Sequence, residues 1–235
     1  MTSDKSPGGG ETGQAMQFGP LVRKIGHLVR NKLAVLGNST YYLKLRLGDT
    51  DQKMTRHLRL MEDEVALVSA VIADLMDFVM VKEPVRRPLD INQLVRDTLA
   101  ELALPAPVEL VTELTPGLPL LDGDPAQLAR ALNKLLVNAV EAMTPVATGR
   151  RLTVRTGLND DGQAVWVTIS DTGPGIPAEN LDRLFDPLFT TKPQGFGLGL
   201  PIALRFIEQH GGRLVVSSSP GQGTTCTVIL PLGVR

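Results

Sequence analysis

Three glycine-rich loops and one helix asparagine form the clearest chemical pattern in the sequence. The segment SDTGPGIP at 170–177 follows a strand-like run, so Asp171 stands where that strand ends, and the glycines let the backbone turn. A second loop, GFGLGL at 195–200, opens a predicted helix, and a third, GQGTT at 221–225, opens a predicted strand. Asn138 lies between apolar turns of another predicted helix. Their number and order indicate one assembled site rather than unrelated turns.

Apolar residues with helical spacing predict two long helices ahead of these loops. They recur at steps of three, four or seven from 18 to 47, and at steps of three and four from 58 to 79. The segment 48–51, Gly-Asp-Thr-Asp, interrupts the pattern and predicts the turn of an antiparallel hairpin. Such a hairpin buries one stripe per helix, so we expect it to dock on a second copy as a dimeric four-helix bundle. The alternative is a hairpin folded back on the rest of the chain.

The remainder of the chain predicts an α/β sandwich in which helices cover one face of a mixed sheet. Asp90 with Gln93 is typical of a capping box, and Asp124 with Pro125 is typical of a helix start. Alternating runs around the turn at 159–162 predict a β-hairpin, and two more strands follow. The fold class is therefore α+β, with three predicted parts: a disordered tail at 1–15, a helical hairpin at 16–82 and the α/β domain at 83–235.

Composition excludes several classes of protein. Lys and Arg number 24 against 25 Asp and Glu, which argues against a basic nucleic-acid binder. The single cysteine, Cys226, excludes an internal disulfide and a thiolate cluster and favours a reducing compartment. The N-terminal residues are polar and rich in glycine, so no secretion signal is recognisable. The most apolar run, at 65–81, carries two aspartates, so no membrane segment is recognisable either. We therefore expect a cytoplasmic protein without membrane insertion.

The loops resemble the nucleotide-binding boxes of the GHKL ATPase superfamily (the Bergerat fold), and within it those of bacterial two-component sensor histidine kinases. LLVNAVEAM resembles the asparagine box, DTGPGIP the first glycine box and FDPLFTTK the phenylalanine box, while GFGLGL and GQGTT resemble the later glycine boxes. GHLVRNKLAVL resembles the histidine box. The resemblance covers essentially everything after residue 16. It implies a dimerisation and histidine-phosphotransfer hairpin followed by a catalytic domain that binds ATP.

This resemblance also implies roles for individual residues. The Asn138 carbonyl oxygen would link Mg²⁺ to the phosphates, the Asp171 carboxylate would accept a hydrogen bond from the adenine amino group, and Thr224 would support the same ring. Lys192 would either reach the terminal phosphate or remain a solvated loop lysine. The glycine boxes would bring the backbone close to the nucleotide at Gly173, Gly175, Gly197, Leu198 and Gly199.

In the hairpin, the resemblance makes His27 the phosphoacceptor. His27 lies about 200° around the helix from both Ile25 and Val29, so the spacing predicts that it points away from the apolar seam. Asn31, one turn later, shares its face. Among the other histidines, the sequence favours a surface position for His57 and a helix C-terminal cap for His210.

Two positions depart from the family pattern. Leu28 follows His27 where the family usually has an acid, and general-base assistance of that kind contributes about 10²–10⁴-fold. This departure predicts a slow kinase or a base from elsewhere, and Asp74 is the candidate because folding the hairpin brings 69–74 to the level of His27.

The second departure is Lys134, which stands where the family has an asparagine and related ATPases have a water-activating glutamate. Asn133 is one place too early. A lysine cannot activate water as that glutamate does, which argues against chaperone-type, topoisomerase-type and mismatch-repair-type ATPases. Lys134 either contacts the γ-phosphate or lies on the surface.

The sequence therefore favours an ATP-dependent histidine kinase that phosphorylates His27 and passes the phosphoryl group to an aspartate on a response regulator receiver domain. The tail leaves no room for a sensor domain, so we expect the input to come from a separate sensor protein or from a part of the protein outside this sequence. One alternative is an adaptor that relays phosphate, or removes it with Asn31 orienting water, while nucleotide only sets its conformation. The other is an ATPase without phosphotransfer.

Overall fold

The computed structural model describes residues 2–4, 12–47, 52–80, 82–192 and 195–233, and it describes side chains from Val29 onward except at Leu47 and Gln52. The chain divides into two compact units. Residues 9–81 form a helical unit, and residues 1–8 together with 82–235 form an α/β unit. Within the described ranges, no helix is both long enough and apolar enough to cross a bilayer.

Two long helices make up the helical unit, α1 (Thr12–Leu47) and α2 (Gln52–Val79). Lys44 Nζ in α1 lies 2.8 Å from Glu62 Oε2 in α2. A Cβ atom placed on Gly37 would lie 3.7 Å from Val65 Cγ1. Because later residues of α1 meet earlier residues of α2, the pair is antiparallel, which confirms the predicted hairpin.

The apolar stripes of this hairpin are only partly covered. Leu33 and Leu58 are buried, whereas four members of the predicted seams stay exposed: Leu36 (54%), Leu43 (46%), Met61 (52%) and Val68 (39%). Leu36 and Leu43 lie seven residues apart on α1, and Met61 and Val68 lie seven residues apart on α2. Each helix therefore exposes two apolar side chains along one of its faces.

The N-terminal segment differs from the predicted disorder of residues 1–15. Strand β1 (Thr2–Asp4) pairs antiparallel with a later strand at the sheet edge, and α1 begins at Thr12, ahead of the apolar periodicity that starts at Phe18. An edge strand offers unpaired backbone N–H and C=O groups, so a polar segment can add to it without burying apolar side chains. The low apolar content of the tail carries no signal for this kind of pairing.

The α/β unit confirms the predicted sandwich. Its further elements are β2 (Arg87–Leu89), α3 (Ile91–Glu101), β3 (Glu109–Leu114), β4 (Leu121–Gly123), α4 (Pro125–Ala142), β5 (Arg151–Leu158), β6 (Ala164–Asp171), α5 (Ala178–Leu181), α6 (Gly199–Gln209), β7 (Arg213–Ser219) and β8 (Gly223–Pro231). The main sheet has the order β1-β7-β8-β6-β5-β3, and only β3 and β5 pair in parallel. A second sheet joins β2 to β4.

Alternation along the central strands builds the core. One face of each strand carries buried aliphatic side chains, such as Val165, Val167 and Ile169 on β6, and α3, α4 and α6 cover that face. The predicted caps form as well, since Asp90 accepts the N–H groups of Asn92 and Gln93. The Gln93 side chain is engaged elsewhere, since its amide oxygen accepts from Arg96 and its NH₂ group donates to Asp97.

Candidate active site

Asn138 is positioned by helix α4, and the start of that helix is fixed by Asp124. The Asp124 carboxylate accepts the N–H groups of Ala126, Gln127 and Val85 at 2.9, 3.2 and 2.9 Å. Burial opposes ionisation of this carboxyl, yet the three donors outweigh burial and hold its pKa below the usual value. Buried leucines on the other side of α4 face the core, so Asn138 is left half-buried toward the loops.

Asp171 ends strand β6 as a buried carboxylate. Its Oδ1 accepts the Gly173 N–H at 2.8 Å. Burial raises the pKa of Asp171, while the backbone N–H groups of Gly173 and Thr224 and the charge of Lys192 act in the opposite direction. Each carboxylate oxygen has two lone pairs, so the group can accept a further donor from a ligand in addition to these backbone N–H groups.

The first glycine box depends on missing side chains. A Cβ atom on Gly173 would come within 2.7 Å of Asp171 Oδ1 and 3.1 Å of the Ala142 carbonyl oxygen at the end of α4. Gly175 has φ +74°, and a Cβ atom there would overlap the Ser219 carbonyl. The loop therefore packs closely against the end of α4 and against the turn that joins β7 to β8, and a side chain at either glycine would displace it.

Ser218, which the sequence analysis did not single out, joins two of the loops. Its hydroxyl donates to the Gly223 carbonyl at 2.9 Å and accepts the Ile176 N–H at 2.9 Å. It also lies 2.9 Å from Thr224 Oγ1, and because its single hydrogen is committed to Gly223, Thr224 is the donor there. Thr224, which pairs with Asp171 across the strands, keeps its lone pairs available as acceptors. In the sequence, Ser218 could have been recognised because it occupies an inward-facing position in the alternation of β7.

We expect Ser218→Ala to destabilise the α/β unit by about 1–3 kcal/mol, because the Ile176 N–H and the Gly223 carbonyl lose their shared partner. Urea unfolding followed by circular dichroism measures the change. Ser217→Ala is the matched control, since Ser217 is the exposed neighbour on the same strand. Equal unfolding midpoints for the two variants would contradict the bridging role of Ser218.

The later glycine box leads into α6. Gly197 has φ +65°, and its carbonyl accepts the Leu188 N–H at 3.0 Å. The Leu198 side chain is buried, so only its backbone can face a ligand. No side chain among the described residues caps the start of α6 at Gly199, and the third residue of the helix is Pro201. The first backbone N–H groups of α6 therefore remain available to bind an anion.

Lys192 lies beside the predicted magnesium asparagine. Its Nζ donates to Asn138 Oδ1 at 3.2 Å and to Glu141 Oε2 at 2.6 Å. Glu141 was not singled out from the sequence, although it stands one turn after Asn138 on α4. The predicted contact between Lys192 and a terminal phosphate stays a prediction.

The donor set around Asn138 fits a hard cation. Side-chain oxygens of Asn138 and Glu141 both accept hydrogen bonds from the ammonium group of Lys192. Oxygen is the ligand that Mg²⁺ prefers. Gly199 leaves space beside the amide, since a Cβ atom there would lie 3.4 Å from Asn138 Nδ2. Within the described residues, no group of three or more His, Cys, Asp or Glu side chains could hold a metal. Further oxygen ligands would come from water and from a bound ligand that carries oxygen, such as a phosphate.

Lys134 and Asn133, the second departure from the family pattern, lie one turn or slightly more before Asn138 on α4. Lys134 is half-buried and Asn133 is exposed. The two readings of Lys134 stay open, as a γ-phosphate ligand or as a surface residue.

In the helical unit, His27 lies on α1, and its side chain and that of Leu28 fall outside the described residues, so the predicted outward orientation stays a prediction. Asn31 is exposed one turn later on the same helix. His57 on α2 is exposed, which agrees with its interpretation as a surface histidine.

His210 is the C-terminal cap of α6, as predicted, and it is also buried. Its Nε2 accepts the Asp124 N–H at 2.9 Å, and its Nδ1 lies 2.7 Å from the Phe206 carbonyl. This pair of bonds requires the tautomer with hydrogen on Nδ1. The ring thus joins the end of α6 to the start of α4.

Comparison with known families places this site in context. Residues 123–234 match the family model described as histidine kinase-, DNA gyrase B-, and HSP90-like ATPase. Among curated relatives, the chain is 29% identical over 223 residues to the sensor histidine kinase ZraS of Escherichia coli (strain K12), covering 92% of this chain and 46% of ZraS. It is 33% identical over 218 residues to the signal transduction histidine-protein kinase AtoS of the same organism, covering 92% of this chain and 35% of AtoS. The chain therefore spans less than half the length of these two relatives.

Solved structures share the fold. Full-length ShkA in complex with AMPPNP superposes with a TM-score of 0.77 at 22% identity, covering 92% of this chain and 46% of ShkA. The histidine kinase ThkA in complex with response regulator protein TrrA superposes with a TM-score of 0.65 at 19% identity, covering 94% of this chain and 63% of ThkA. At these identities the similarity establishes the fold alone.

Proposed function

This chain belongs to the GHKL ATPases and, within them, to the two-component sensor histidine kinases, and on that basis we propose that it is an ATP-dependent protein histidine kinase. It phosphorylates His27 and passes the phosphoryl group to an aspartate of a response regulator receiver domain. One observation carries the proposal. The ends of β6 and α4, the start of α6 and Lys192 meet around Asn138 and Asp171, on the same chain as a helical hairpin that carries a histidine.

The two ends of the nucleotide meet different groups. Asp171 Oδ2 accepts the adenine amino hydrogen, and Thr224 Oγ1 accepts a hydrogen bond at the same ring, directly or through water. The first N–H groups of α6 bind the phosphates, and Lys192 adds a positive charge there. Asn138 holds Mg²⁺, which when bound neutralises charge on the phosphates.

In the transfer step, a ring nitrogen of His27 attacks the γ-phosphorus, a nitrogen–phosphorus bond forms, and the bond from phosphorus to the bridging oxygen of ADP breaks. An imidazole with a pKa of about 6.5 is largely neutral at pH 7, so its lone pair is available. The remaining ring proton then leaves to a base. With Leu28 in the usual place of the acid, we propose Asp74, which the hairpin register brings close to the level of His27.

The partner is a receiver domain. Relatives of this chain are named as sensor or signal transduction kinases, and the structurally similar ThkA was solved with a response regulator. Because these relatives are kinases by name, the comparisons favour the kinase over the adaptor and over the ATPase without phosphotransfer. Because ATP and a response regulator are its reactants, we propose that the reaction takes place in the cytoplasm.

The labelling experiment tests this function. The chain is incubated with γ-labelled ATP and MgCl₂, and the protein is then mixed with receiver domains. We expect protein-bound label that is acid-labile and alkali-stable, and that moves to an aspartate of a receiver domain. Phosphate release without protein-bound label would instead identify an ATPase, and absence of both would refute the proposal.

The exposed apolar side chains of α1 and α2 support a homodimer, with the second copy completing a four-helix bundle. We expect the double variant Leu43→Glu with Met61→Glu to be monomeric. Burying an unpaired carboxylate costs about 3–5 kcal/mol, so the dimer dissociation constant rises by at least about 100-fold. Analytical ultracentrifugation measures this dissociation constant. Leu120→Glu is the control, because that exposed leucine lies in the α/β unit. A wild-type chain that is monomeric at all concentrations would contradict the bundle.

A further inference from the structure

Two oxygen atoms on α4 share one cation. Asn138 Oδ1 and Glu141 Oε2 lie 3.2 and 2.6 Å from the same atom, Lys192 Nζ. Residues three apart on a helix are neighbours on its surface, so the amide and the carboxylate face the same space. The ammonium group of Lys192 enters that space from the loop that leads toward the glycine box.

These two oxygens are the kind of ligand that Mg²⁺ takes, and a carboxylate binds this ion more strongly than an amide carbonyl does. A magnesium ion on Asn138 Oδ1 would compete directly with Lys192 for that oxygen, because both are cations seeking the same lone pairs. Binding of the metal therefore requires the ammonium to leave, and Glu141 is the nearest negatively charged group that then needs a new partner.

We propose that Glu141 and Asn138 together form the protein's share of the magnesium site, and that Lys192 exchanges with the metal. Resting on the proposed ATP site, this inference adds Glu141 as a ligand, and it gives Lys192 two positions. Without metal, Lys192 balances the charge of Glu141 and donates to the Asn138 carbonyl oxygen, and with magnesium and nucleotide bound it would turn to the phosphates.

The strength of the Lys192–Glu141 pair is compatible with such an exchange. The side chains are 37% and 52% exposed, and exposed ion pairs contribute about 0–1 kcal/mol. Releasing Lys192 from this pair would therefore cost little. The exchange therefore needs no rearrangement of α4, only a change of the Lys192 side chain.

The first test is the effect of magnesium on ADP affinity, measured by calorimetry in MgCl₂ and in EDTA. ADP lacks the γ-phosphate, so the contact of Lys192 with that group does not enter. The quantity compared is the ratio of the ADP dissociation constant in EDTA to that in MgCl₂. We expect this ratio to be about tenfold smaller for Glu141→Gln than for the wild type. Glu101→Gln, which changes an exposed glutamate on α3, is the matched control and should leave the ratio unchanged. A ratio for Glu141→Gln within twofold of the wild type would overturn the proposal.

A second measurement separates metal ligation from the mere release of Lys192. Mn²⁺ binding to the protein–ADP complex is followed by electron paramagnetic resonance in Lys192→Met and in Lys192→Met with Glu141→Gln. We expect Lys192→Met to bind Mn²⁺ severalfold more tightly than the wild type, since the competing ammonium is gone, and the added Glu141→Gln change to weaken binding about tenfold. Equal Mn²⁺ affinity with and without Glu141 would mean that this carboxylate only holds the lysine, and the inference would fail.

Failure of this inference is distinguishable from failure of the proposed function. A wild-type chain that binds ADP in neither buffer refutes the nucleotide site, and the magnesium site with it. A wild-type chain that binds ADP more tightly with Mg²⁺, together with a Glu141→Gln variant that behaves identically, refutes only the role of Glu141.

Discussion

Replacing Asp171 by asparagine is expected to weaken ATP binding by at least about 100-fold, because the adenine amino group then faces a donor. In the structure Asp171 Oδ1 is engaged by the Gly173 N–H. An asparagine that keeps this bond through its Oδ1 carries an NH₂ group where Oδ2 now lies, the oxygen that we propose accepts the adenine hydrogen. A site built to accept a hydrogen bond loses about 1–3 kcal/mol when its acceptor is replaced, and the clash of two donors adds to that loss.

The same substitution should alter base preference in a defined direction. Guanine carries a carbonyl oxygen where adenine carries its amino group, and an NH₂ group at position 171 can donate to that oxygen. We therefore expect the ratio of ATP affinity to GTP affinity to fall in Asp171→Asn, as measured by competition against a fluorescent nucleotide. Asp160→Asn, an exposed change in the turn between β5 and β6, is the control. Unchanged ATP affinity in Asp171→Asn would remove Asp171 from the base-binding site.

Loss of binding in this variant should not come from unfolding. Burial raises the pKa of Asp171, so the folded chain binds this proton more readily than the unfolded chain does. Stability therefore falls as pH rises from the unfolded pKa through the folded one, and the ionised group is unfavourable above that interval. Asparagine does not titrate, so we expect the variant to be at least as stable as the wild type at neutral pH, which urea unfolding at several pH values measures.

His27→Gln is expected to abolish protein-bound label from γ-labelled ATP, a loss of more than about 1000-fold, because the amide has no nucleophilic nitrogen. Nucleotide affinity should be unchanged, since the groups around Asn138 and Asp171 belong to a different unit of the chain. Phosphate transfer is measured by acid-labile label, and nucleotide affinity by calorimetry.

The matched control is His57→Gln, which changes an exposed histidine on α2 of the same hairpin. We expect this variant to label at the wild-type rate. If His27→Gln still accepts phosphate and His57→Gln does not, the phosphoacceptor has been misassigned, and the outward face predicted for His27 loses its significance.

Local rules predicted much of this fold. Asp124 with Pro125 gives a helix start because a carboxylate accepts the first N–H groups and proline needs none, and both effects act within a few residues. The hairpin between β5 and β6 likewise follows from its turn residues, since the Gly162 N–H bonds to the Asn159 carbonyl.

Pairings between distant segments were not predictable in this way. Strand β3 was missed because its residues are largely exposed on both faces and show no alternation, and its register depends on pairing with β5. The Glu109–Arg151 and Glu113–Arg155 ion pairs across that edge join residues far apart in the chain. Lys192 with Glu141 is of the same kind, because no sequence spacing relates a loop lysine to a particular turn of α4.

Helices α4 and α6 lie close to each other at both ends. At one end the His210 ring binds the first N–H group ahead of α4, and at the other end Gly199 fits against the Asn138 amide. The two helices run antiparallel, and sliding one along the other would break the buried hydrogen bond to the imidazole. This bond therefore helps to hold the Asn138 amide near the first backbone N–H groups of α6, and we expect ligand-dependent movement mainly in the loops that join these helices.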